Sequence, residues 1–106
     1  MPISIGSGTV RTFAEEATPF DVTLAVADTA EDVVVPPGGK TIRRINVVNH
    51  GPGVVFLEFD DTATTSSLEV ERRGTYDEAD IGVSTNISFI GEPGKKPRVT
   101  GVVWSG

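Results

Sequence analysis

His50 is the one histidine of the chain and the side chain whose ordinary pKa best suits a general base at neutral pH. A nucleophilic triad would ask it to work between a serine and an orienting carboxylate. It stands instead in a turn cluster, Asn49-His50-Gly51-Pro52-Gly53, with no Gly-x-Ser-x-Gly elbow beside it. A histidine in such a turn is ordinarily polar surface. Carboxylates gather at Asp60-Asp61 and at Asp77, Glu78 and Asp80. Paired acids can cleave glycosides, and clustered acids can hold calcium. These pairs fall in polar segments, where acids usually form solvated turns, and the EF-hand spacing is absent. Gly38-Gly39-Lys40-Thr41 resembles the end of a phosphate loop. However, Val34 and Val35 stand where its opening glycine is needed, and a strand follows where a helix should start. Sugar binding would use exposed aromatic rings, but the chain has a single Trp (Trp104) and a single Tyr (Tyr76). The expectation is no catalytic, cofactor or metal site, no enzyme, and no small-molecule ligand.

The elements that would position such groups belong to one small domain. The chain has 106 residues, 38% hydrophobic and 23% charged, enough for one core. It has no cysteine, so disulfides and thiolate zinc sites are excluded. Net charge is −6. The basic residues fall in small groups, Arg43-Arg44, Arg72-Arg73, and Lys95-Lys96 with Arg98, rather than in the dense clusters that bind nucleic-acid phosphates. Nucleic acid is therefore not an expected partner. Groups of this kind suit solvated rims or an acidic protein. No apolar stretch is long enough for a membrane helix, and the first residues lack the basic and apolar regions of a signal peptide. Neither a membrane nor ordinary secretion is expected, and the protein is read as assembling in the cytoplasm.

Period-two alternation gives the class. Val22, Leu24 and Val26 alternate with polar or small residues. Val33-Val34-Val35 ends at Pro36-Pro37-Gly38-Gly39, a turn signal. Thr41–Asn49 places Ile45 and Val47 on one face, Asn46 and Val48 on the other. Val54–Phe59 is apolar on both faces and reads as a central strand. Thr41–Phe59 is the strongest hairpin signal. Asp60–Ser67 reads as a loop, Leu68 and Val70 as a strand, and Thr75–Thr85 as a long loop or short helical turn. Ile87 to Phe89 and Val99–Trp104 read as the last strands, with Trp104 in the core or an interface. Ala14–Ala17 is the one helical hint. The prediction is an all-β, antiparallel sandwich or jelly roll of seven or eight short strands over residues 20–106. Residues 1–19 are read as an extended N-terminal arm, with Ile3, Ile5, Val10 and Phe13 as apolar anchors.

The stretch Ile45–Phe59, followed by Thr62–Ser67, Ile87–Ile90 and Val99–Trp104, resembles small tailed-phage head proteins of the β-sandwich or jelly-roll type. Such proteins often carry a Pro-Gly turn where Arg73-Gly74 stands here. The resemblance spans about Thr41–Trp104 on short motifs. It implies a virion structural protein on the capsid exterior, a decoration or cement protein that forms a homotrimer and bridges subunits of the major capsid protein. A tail adaptor, a fibre component and a carbohydrate- or receptor-binding module are the alternatives. The interface residues expected on this reading are Ile3, Ile5, Val10, Arg11 and Phe13 in the arm, with Arg43, Arg44 and Trp104. Burying about 500 Å² of apolar arm surface would contribute on the order of 10 kcal/mol before ordering costs.

Overall fold

The computed structural model describes residues 16–106. The chain forms eight strands: β1 (Glu16–Thr23), β2 (Glu31–Val34), β3 (Ile42–Asn49), β4 (Val55–Phe59), β5 (Leu68–Val70), β6 (Thr75–Glu78), β7 (Ile87–Gly91) and β8 (Arg98–Ser105). They build two four-stranded antiparallel sheets, β1-β8-β3-β6 and β2-β7-β4-β5. Successive strands change sheet at every step except β4 to β5, which pair with each other, and the last strand lies beside the first. This is the strand order of a jelly roll, two Greek keys wrapped around one core.

The alternation read from the sequence fills that core. Ile45 and Val47 of β3, Val55 and Leu57 of β4, Ile87 and Phe89 of β7, and Val99 and Val103 of β8 are each at most 2% exposed. Phe20 of β1 packs its ring 6.3 Å from that of Phe89, joining the two sheets. Inner faces of this kind, about 10 Å apart, are what hold a sandwich together.

Four local expectations are corrected. Thr41–Phe59 is not a hairpin: β3 pairs with β8 and β6, whereas β4 pairs with β7 and β5. The connection is a crossover, because the buried Asn49 side chain ties it down. Asn49 Oδ1 accepts from Gly51 N–H, and Nδ2 donates to the carbonyls of Gly53 and Val70. Gly51 and Gly53 supply φ of 79° and 78°. The first strand ends at Thr23, leaving Val26 exposed in a loop, and runs back through the segment read as arm and helical turn. Residues Glu16 to Pro19 pair with Ser105 to Val102. Those four residues are all exposed, so no apolar alternation marked them, and an edge strand tolerates Pro19. Finally, Thr75–Glu78 is a strand, recruited by β3 although its residues carry little apolar signal. Ile3, Ile5, Val10, Arg11 and Phe13 lie outside the described residues.

Candidate interaction surface

Three aligned rows cross the outer face of the β1-β8-β3-β6 sheet. Ala17, Trp104 and Arg44 form the first. Pro19, Val102, Asn46 and Asp77 form the second, and Asp21, Thr100, Val48 and Thr75 the third. These residues face outward because their strand neighbours Val99, Val103, Ile45 and Val47 fill the core. Trp104, Val102 and Val48 are half-buried, and Ala17 and Pro19 are exposed. Trp104, Val102 and Val48 thus form an apolar strip on the two central strands beside polar Asn46 and Thr100, and charge lies at the rim.

Arg44 and Trp104 meet in the first row. A register shift between Ile42 and Arg44 inserts an extra residue, so both Arg43 and Arg44 reach solvent. Such a bulge re-aims side chains. The Arg44 guanidinium lies over the Trp104 ring, its carbon 4.6 Å from the ring centroid, in a cation–π contact. Of the interface residues expected from sequence, the structure brings these two together and leaves Arg43 exposed beside them. Val48, Val102 and Pro19 were missed as surface residues. The signal was present: strand β8 is apolar on both faces, which a sheet with one solvated face does not require.

Beside this row lies a shallow depression of about 300 Å³, lined by Arg44, Ile45, Asp77, Glu78 and Ala79. Asp77 Oδ1 accepts from Asn46 Nδ2 at 2.6 Å, and Glu78 Oε1 accepts from the Tyr76 hydroxyl at 2.9 Å. Burial, aided by the Glu78 carboxylate, pushes the Tyr76 phenol up to about 12.

Asp60, Asp21 and His50 each make contacts within the fold. Asp60 accepts backbone N–H groups from Ser84, Thr85 and Asn86, so it ties the β4–β5 loop to the β6–β7 loop. Among the described residues, no three His, Cys, Asp or Glu side chains are grouped as a metal would need. His50 Nε2 lies 2.8 Å from Thr100 Oγ1, the distance of a base and a nucleophile. The nearby carboxylate of Asp21 is instead gripped by both Nε and Nη2 of Arg98, at 2.9 and 2.8 Å. That pairing holds Asp21 below the usual carboxylate range. The N–H groups of β8, which would have to form an oxyanion hole, sit in a strand flanked by β1 and β3.

No protein family matches the chain, and no curated protein matches it.

Proposed function

We propose that this protein is a structural component of a tailed-phage virion. It decorates or cements the head as a homotrimer that braces major capsid subunits. The observation that carries this reading is the outer face of the β1-β8-β3-β6 sheet. There Trp104, Val102 and Val48 stand half-exposed in the middle, with Arg44 laid on the indole. An apolar strip with aromatic and arginine side chains beside polar groups and a charged rim has the composition of a protein interface. The jelly-roll order, which viral capsid and lectin domains share, agrees with the reading without carrying it.

A lectin-like role fits the face less well. Sugars stack on open aromatic faces, and the Arg44 guanidinium already lies over Trp104.

Light scattering and co-sedimentation with empty phage capsids test the proposal. The expected results are a trimer mass and pelleting with capsids, and Trp104→Ser is expected to abolish the pelleting. A monomer at every concentration that ignores capsids would overturn it.

A further inference from the structure

One end of the sandwich gathers the β1–β2, β3–β4, β5–β6 and β7–β8 loops, and the backbone ties them to one another. Leu24 N–H donates to the Pro97 carbonyl, and Arg98 N–H to the Gly51 carbonyl. Arg73 N–H donates to the Asn49 carbonyl, and Glu92 N–H to that of Val54. This end carries Arg72, Arg73, Lys95, Lys96 and Arg98, five of the nine basic residues of a chain whose net charge is −6. Arg98 is paired with Asp21. The other four are exposed, and their side chains make no ion pair or hydrogen bond among the described residues.

The carboxylates of the same end are mostly turned back onto the loops. Asp28 accepts from Gly94 N–H, Glu92 from Val54 N–H, and Glu31 from the N–H groups of Ala25 and Val26. Glu71 alone stands exposed without such a contact among the described residues. Asp28, Glu31 and Glu92 are thus engaged by backbone N–H groups, whereas the four basic side chains are not engaged among the described residues. Glu31 also fixes the loop that presents Val26, which is 56% exposed, and Pro52 and Pro93 are exposed on neighbouring loops.

We infer that this end is a second docking surface, which recognises an acidic patch on a partner protein. Val26 is its apolar anchor, and Arg72, Arg73, Lys95 and Lys96 are its rim. A protein fits better than a nucleic acid for two physical reasons. The four loops hold no Phe, Tyr or Trp on which a base could stack, and the one imidazole there, His50, is held by Thr100. The rest of the chain is strongly acidic, so a long polyanion reaching beyond the tip would be repelled. An exposed apolar residue on the same end of the sandwich as four cations unpaired among the described residues is instead interface chemistry. The inference does not depend on the virion reading, because it uses a different surface.

The test is fluorescence anisotropy with labelled polyglutamate, a peptide alternating Glu and Leu, and duplex DNA of matched charge. At low salt both peptides should bind, with affinity falling as salt is added. K95E/K96E should weaken both by about tenfold or more, and Lys40→Gln, at the far end, should leave them unchanged. The Glu/Leu peptide should bind more tightly than polyglutamate, and Val26→Ser should erase that difference. No peptide binding, equal binding by K95E/K96E, or a preference for the duplex overturns the inference.

Discussion

Arg44 and Trp104 are cross-strand partners on β3 and β8, with the guanidinium carbon 4.6 Å from the centroid of the indole ring. The contact covers part of an aromatic surface that would otherwise face water. It is exposed enough that removing it should cost only about 0.5–1 kcal/mol. Arg44→Ala should therefore leave the denaturation midpoint nearly unchanged while moving the emission of the single tryptophan to longer wavelength. An unchanged spectrum would mean that the ring is uncovered in solution.

Asn49 carries more of the fold than any surface pair. It is fully buried, and its side-chain amide satisfies Gly51 N–H and the Gly53 and Val70 carbonyls, at 2.9, 3.0 and 3.0 Å. Asn49→Leu keeps the branched shape with somewhat larger methyl ends and orphans all three groups, each costing about 1–3 kcal/mol when buried. Urea unfolding should show a loss of about 3 kcal/mol or more. Asn49→Asp should lose a similar amount at neutral pH, because a carboxylate then faces two carbonyl oxygens. It should regain part of that in acid, where the protonated carboxyl can donate once.

This residue also shows where sequence reasoning reaches and where it stops. The inner faces of β3, β4, β7 and β8 were legible because Ile45, Val47, Val55, Leu57, Phe89, Val99 and Val103 obey a period of two. The sheet to which each strand belongs was not. Asn49-His50-Gly51-Pro52-Gly53 has the composition of a hairpin turn, and only the buried hydrogen bonds of Asn49 show that it crosses between sheets. Edge strands β1 and β6 were missed in whole or part because Glu16 to Pro19 and Thr75 to Glu78 bury little. The outer-face site was half legible. Trp104 and Arg44 were singled out separately, but the register that stacks them belongs to the sheet and not to the spacing of either strand.

Gly101 is a position where the close approach of two strands demands the absence of a side chain. It faces inward between Val99 and Val103. A Cβ there would fall within contact distance of the Asn46 carbonyl oxygen and 3.0 Å from Phe20 Cζ. Phe20 could turn aside, but the β3 backbone cannot move without disturbing its ladders to β8 and β6. Gly101→Ala should destabilise the protein by at least about 2 kcal/mol, at the upper side of overpacking effects. Gly94→Ala, where no atom lies within reach of a Cβ, should owe its smaller loss to φ 79° alone. Thermal unfolding of the two variants separates crowding from backbone conformation, and equal midpoints would contradict the close approach at Gly101.

Asp60 sets the response of the far end to acid. Its carboxylate accepts from the Thr85 N–H at 2.6 Å and from the N–H groups of Ser84 and Asn86. These bonds, that from Thr85 foremost, hold it below the usual value. In the unfolded chain an aspartate titrates near about 3.9. A folded pKa below the unfolded one stabilises the fold above the unfolded value, and that contribution is lost as pH falls through the folded one. Asp60→Asn removes the titration and weakens the tie between the two loops. The wild type should therefore be the more stable at pH 7, and its advantage should shrink steadily on going from about pH 5 to about pH 2. Asp21, held low by Arg98, titrates in the same direction, so the quantity that isolates Asp60 is the difference between the two proteins' midpoints at each pH. A constant difference across that range would mean that the three N–H groups do not bind the carboxylate in solution.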